Sequence, residues 1–97
     1  MVNTVRFEWD EAKDAANRFK HGVSFAEAQK AFFDLKRIMV RDLKHGDDEE
    51  RYFCFGDVEG AILTVRFTYR GDAIRIIGAG YWRKGRDHYE KKNSIHR

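Results

Sequence analysis

The chain is 97 residues long with a formal charge of +3, enough for one domain with a real core and too little for a second. One cysteine, no proline and no apolar run of membrane-spanning length exclude a disulfide framework and a helical membrane span. The opening MVNTVRFEWDE lacks the apolar stretch of a secretory signal, so a cytoplasmic protein is expected. Charge is unevenly spread. Residues 1–65 hold 10 Lys/Arg against 13 Asp/Glu, a net of −3, and residues 66–97 hold 9 against 3, a net of +6. A basic C-terminal third points to a polyanion, or an acidic protein, as partner.

Residues 5–9 form a short strand. Asp10 is placed to cap a helix with Ala12, Ala15, Ala16 and Phe19 at i, i+3, i+4, i+7 spacing, a stripe expected to face inward. Gly22 ends that helix in a left-handed cap. His21, in its last turn, is assigned a structural role because the helix dipole favours a cation there. Ser24-Phe25-Ala26-Glu27 reads as a capping box opening a second helix, which carries Phe25, Ala28 and Phe32 inward to about Asp34. Residues 37–42 form a strand with Ile38 and Val40 on one side. The acidic loop from His45 to Glu50 lacks the spacing of a calcium loop and reads as solvated, with no metal expected.

Three strands follow, at 51–55, 61–69 and 73–79, and then a helix at 83–92. Gly71-Asp72 is a two-residue hairpin loop, which pairs Arg70 with Ala73, Tyr69 with Ile74, Thr68 with Arg75, Phe67 with Ile76 and Arg66 with Ile77. The parity suits the pattern, since a slip of one would carry the arginines into the core. The preceding hairpin has a longer loop, Gly56 to Gly60. Pairing Phe55 with Ala61 sets Phe53 against Leu63, Tyr52 against Thr64 and Glu50 against Arg66. The expectation is an α+β fold: an antiparallel sheet with two N-terminal helices on its apolar face and a C-terminal helix, in the order β-α-α-β-β-β-β-α. The other face would carry Tyr52, Thr64, Arg66, Thr68 and Arg75. Cys54, in the aromatic run Phe53-Cys54-Phe55, reads as a buried filler rather than a nucleophile.

Phe7-Glu8-Trp9-Asp10, then Lys13, Asn17, Lys20-His21-Gly22-Val23-Ser24-Phe25 and Glu27-Ala28, resemble the opening of the BrnT family of bacterial toxins. Glu50-Arg51, Gly56, the Leu63–Thr68 strand, Arg75-Ile76-Ile77 and Tyr89-Glu90 extend the resemblance over nearly the whole chain. It implies a RelE-like fold and a ribonuclease that needs neither metal nor cofactor, in a type II toxin–antitoxin module. A small DNA-binding antitoxin, BrnA, would neutralise it, so DNA is met only through the antitoxin. A homodimer and a heterotetramer with the antitoxin both stay open. The family's commonest end to the last strand is Ile-Ser-Ala-Arg, whereas this chain has Ile77-Gly78-Ala79-Gly80. Either the missing arginine weakens catalysis or Arg83 reaches in from the next turn.

Metal-independent RNA cleavage uses the 2′-hydroxyl as nucleophile and needs a base, an acid for the leaving 5′-oxygen, and cations at the phosphate. Arg66 and Arg75, on one face, are the candidate phosphate ligands, since an arginine fork matches phosphate geometry. Glu50, Tyr52, His88 and Tyr89 are candidates for the proton transfers, with no feature that divides the roles. Arg83, Lys84 and Arg86 are read as cations that hold the strand, and Trp82 as a surface for bases. A binding module that holds RNA or a protein without cutting it is the alternative function.

Overall fold

The computed structural model describes residues 5–44 and 48–94, so His45, Gly46 and Asp47 of the acidic loop lie outside the described residues. The elements are β1 (Arg6–Glu8), α1 (Glu11–His21), α2 (Phe25–Ala28) running into a 3-10 turn (Gln29–Phe33), β2 (Ile38–Asp42), β3 (Arg51–Val58), β4 (Ala61–Arg70), β5 (Ala73–Gly80) and α3 (Arg83–Lys92). The fold is α+β. Its sheet has the order β1-β5-β4-β3-β2 and is mixed rather than wholly antiparallel, because β1 lies parallel to β5. A strand that begins the chain can reach the free edge of β5 in that direction because two helical segments and three further strands intervene. Among the described residues no helix is long and apolar enough to cross a membrane.

The helix ends follow local chemistry. Asp10 accepts from the backbone N–H of Ala12 at 2.8 Å and Lys13 at 3.1 Å, and Gly22 closes α1 at φ 69°, where a Cβ would be strained. Ser24 caps α2 by accepting from the Glu27 N–H at 3.0 Å. The other half of the capping box is diverted, since the Glu27 carboxylate accepts instead from the Tyr81 hydroxyl at 2.7 Å. Burial and that hydrogen bond push the Tyr81 hydroxyl up to about 12.

α1 turns opposite to its apolar pattern. Ala12, Ala15 and Ala16 are exposed and Phe19 is 92% exposed, while Asp14 and Asn17 are buried. The reason lies in backbone groups that need partners. Asn17 Nδ2 donates to the carbonyls of Ala79 (2.9 Å) and Val23 (2.8 Å), and its Oδ1 accepts from the Ala79 N–H at 3.2 Å. That part of β5 runs beyond the reach of β1, and a side-chain amide supplies the missing strand partner. Asp14 accepts from the Phe25 N–H at 2.8 Å, at the start of α2. Satisfying four buried backbone groups, on β5, on α2 and on the link before α2, outweighs hiding three alanines and Phe19.

The core lies between the sheet and α2 with its 3-10 turn, with Phe25, Leu63, Val65, Phe67, Ile76 and Ala79 at its centre. Cys54 is part of it, and burial pushes its thiol up to about 12, consistent with a filler.

Both hairpins carry corrections. Between β4 and β5 the pairing runs as expected from Arg70–Ala73 to Phe67–Ile76, but Arg66 then pairs with Gly78, leaving Ile77 as a bulge. The extra residue turns Ala79 into the core and leaves Gly78 and Gly80 on the opposite face with Arg66 and Thr64. Between β3 and β4 the loop is only Glu59-Gly60, at φ 52° and 93°, and Val58 pairs with Ala61. Phe55 therefore meets Thr64, Phe53 meets Arg66 and Tyr52 meets Phe67. A shift of three positions is odd, so it reverses the faces, and Tyr52 stacks on Phe67 under the helices instead of joining Arg66. Gly56 is in the strand because the Ala31 carbonyl oxygen would lie 2.3 Å from a Cβ there. It marks a close approach and not a turn.

Candidate functional site

The sheet face turned away from α2 carries Arg66 and Thr68 from β4, Arg75 and Gly78 from β5, and Phe53 and Phe55 from β3. α3 covers one end of it. Gly85 rests against Thr64 and Phe55, and Tyr89 packs with Phe55 and Ile62. The other end is open.

Arg75 stands opposite Glu8 in the β1–β5 register, and its guanidinium donates to the Glu8 carboxylate at 3.0 Å, with both side chains about one-third exposed or less (26% and 34%). Arg66 is half-buried, and among the described residues no carboxylate is in ion-pair range of it. It lies on one wall of a cleft of about 360 Å³, within the range of small-ligand sites, roughly 300–1,000 Å³. Lys13, Lys20 and His21 line the cleft from α1, Phe53, Thr64 and Gly78 from the sheet, and Trp82 from the segment before α3. Among the described residues no acidic one lines it. Cations on two walls of such a concavity concentrate an anion there.

The cleft wall is rigid by construction. The six-membered ring of Trp82 lies against Gly80, where a Cβ would be 2.5 Å from the indole. The His21 ring meets Trp82 edge-on, with centroids 5.1 Å apart and planes at 75°. The Asn17 clasp ties α1 to β5 beside them.

Of the residues expected at the site, Arg66 and Trp82 share this cleft, and Arg75 lies on the same face two positions along the ladder. Glu50 and Tyr52 do not join them. The Glu50 carboxylate pairs with Arg41 and accepts from the Tyr52 hydroxyl at 2.9 Å, a bond that raises the Tyr52 pKa. Tyr89 is buried, and its hydroxyl donates to Asp34 at 2.7 Å; burial and that carboxylate hold its pKa well above the ordinary value. His88 is exposed on α3 with its ring 5.1 Å from Phe55. Arg83 and Arg86 line a second groove, with Gly60, Ala61 and Glu90, that shares only Trp82 with the cleft among the described residues, and Lys84 is exposed on α3. The space at Gly80 is taken by Trp82 and not by Arg83.

Lys13, Lys20, His21 and Phe53 are the cleft residues that sequence reasoning missed. A signal existed for the first three. Lys13, Asn17, Lys20 and His21 fall at helical spacing on one stripe of α1, a polar stripe beside the buried Asn17.

Asp34 fastens α3 to the rest of the molecule. It accepts from the Tyr89 hydroxyl at 2.7 Å, the Asp57 N–H at 2.8 Å and the Lys36 N–H at 2.9 Å. Burial alone would raise its pKa, but these hydrogen bonds outweigh it and the carboxyl titrates below its ordinary range. Asp34→Ala should cost about 1–3 kcal/mol of stability at neutral pH. Because the folded-state pKa is depressed, this contribution is present above the unfolded value of about 4 and disappears as pH falls through the folded value. Urea unfolding of both proteins from pH 7 down to about pH 3 checks it. The gap between them should narrow only below pH 4.

The fold is thus a five-stranded mixed sheet with helices covering one face and, on the other, a cleft lined by cations and aromatic rings and, among the described residues, by no carboxylate. The profile of BrnT ribonuclease toxins of type II toxin–antitoxin systems matches residues 9–85, and the chain belongs to that family. Such a toxin has RNA as its target and an antitoxin as its partner. No curated protein sequence matches the chain.

Proposed function

We propose that this protein is a cytoplasmic, RelE-like endoribonuclease that cleaves RNA without a metal and is neutralised by a BrnA-like antitoxin. The observation that carries the reading, beside family membership, is Arg66: a half-buried guanidinium with no carboxylate partner among the described residues, facing a cleft with cations on its opposite wall. Arg66 takes the scissile phosphate through its fork, and Lys13 and Lys20 hold the neighbouring phosphates. Arg75 lies on the same face, but the Glu8 carboxylate bonded to it at 3.0 Å largely offsets its charge, so the phosphate contact falls to Arg66. The 2′-oxygen loses its proton to a base and attacks phosphorus. The bond from phosphorus to the 5′-oxygen breaks, and that oxygen takes up a proton, leaving a 2′,3′-cyclic phosphate and a 5′-hydroxyl. Among the described residues, the imidazoles on this side of the sheet are His21, in the cleft, and His88, over Phe55. They are better placed for the proton transfers than Glu50 and Tyr52 on the other face, or Tyr89 with its hydroxyl committed to Asp34.

Gly80, at the position of the family's arginine, favours a second reading, in which the cleft holds RNA without cutting it. Purified, antitoxin-free protein incubated with a defined RNA in excess EDTA separates the two. Cleavage leaving 2′,3′-cyclic phosphate ends is the expected result. Binding without cleavage, with or without magnesium, would establish the binding module instead.

A further inference from the structure

We propose that the Trp82 end of the cleft is a nucleobase subsite, in which one base of the RNA stacks on the indole while its phosphates meet Arg66, Lys13 and Lys20. The inference rests on the ribonuclease reading only for RNA as the source of the base. Trp82 is 45% exposed, a large aromatic surface beside cations that, among the described residues, face no acid in the cleft. The indole is nevertheless held in place, by the bare backbone of Gly80 beneath it and by the edge of His21 beside it. The elements that carry these rings are fixed in turn: Asn17 hydrogen-bonds α1 to β5 through Ala79, and Gly85 seats α3 on Thr64. A ring immobilised before binding loses little entropy when a base stacks on it. A wall of aromatic surface next to a wall of cations matches a nucleotide unit, with its flat base and charged phosphate a short distance apart. A purely phosphate-tracking groove would need no aromatic surface, and a site for an acidic peptide would show no dependence on a base.

The test uses the full chain and an uncleavable 2′-O-methyl oligoribonucleotide, with a single abasic position stepped along it, in binding titrations at fixed salt. In the wild-type protein one abasic position should weaken binding by roughly ten-fold, and its neighbours far less. Trp82→Ala should bind the intact oligonucleotide roughly ten-fold more weakly and no longer distinguish the abasic form. Gly80→Ala, which leaves the tryptophan in the chain but puts a methyl where the indole rests, should do the same. Trp82→Phe should keep most of the discrimination. Equal binding of every abasic form by the wild type, unchanged discrimination in Trp82→Ala and Gly80→Ala, or no binding of the oligonucleotide would each overturn the proposal. If base dependence is found but unmodified RNA is not cleaved, the subsite stands and the ribonuclease reading fails. If RNA is cleaved with no base dependence, the subsite fails and the ribonuclease reading stands.

Discussion

Arg66→Ala is expected to slow cleavage of a defined RNA by about 10²–10³-fold, the usual effect of removing one pre-organised charge at a reacting phosphate. The size follows from where Arg66 sits. It is on a central strand, paired across to Phe53 and Gly78, so its guanidinium is aimed by a rigid ladder and not by a mobile segment. It also has no carboxylate partner among the described residues to give up, so its field is available to substrate without a prior bond being broken. Arg66→Lys keeps the charge but loses the two-pronged geometry and should recover only part of the rate. Lys84→Ala, on the exposed side of α3, should mainly raise the RNA concentration needed, and more so as salt rises. Single-turnover rates with saturating RNA check the assignment. An Arg66→Ala protein that is folded and cleaves at the wild-type rate would remove Arg66 from the chemistry.

The second large effect is structural. Gly85→Ala places a methyl 1.9 Å from Thr64 Oγ1 and 3.0 Å from the Phe55 ring. Neither neighbour can step aside, since Thr64 and Phe55 belong to a central and an adjacent strand and are themselves buried. The helix must move instead, which breaks the packing of Tyr89 on Phe55 and Ile62 and shifts the chain leading back to Trp82. Overpacking of this kind costs about 1–3 kcal/mol, and each kcal/mol lowers the melting midpoint of a domain this size by roughly 4–8 °C. Hydrogen exchange should show the loss concentrated in residues 83–92. Thr64→Ala removes the nearest obstructing atom, so adding it to Gly85→Ala should restore part of the stability. A midpoint equal to that of the wild type would mean that α3 is not seated on Thr64.

The two predictions divide the molecule much as the sequence does. Interactions that close within a few residues were legible in it. Asp10 and Gly22 bracket α1, Ser24 starts α2, the Gly71-Asp72 turn sets Arg70 against Ala73, and α3 begins and ends where its pattern does. That hairpin also placed Arg66 and Arg75 on one face, because strand parity carries over a tight turn. What needed the tertiary structure were choices settled by groups distant in the chain. α1 presents Asp14 and Asn17 inward because unpaired backbone of α2 and β5, up to 62 residues away, needs hydrogen-bond partners. Hydrophobic periodicity carries no trace of that demand. Gly56 reads as a turn until the Ala31 carbonyl is seen against it, and with that reading go the β3–β4 register and the side on which Tyr52 lies. The cleft is of the same kind. Its cations come from α1 and β4 and its aromatic wall from the chain before α3, and they meet only because a bulge at Ile77 and two glycines leave room at the end of β5. Local sequence determines which elements form and where they stop; only their packing decides which of their side chains share a space.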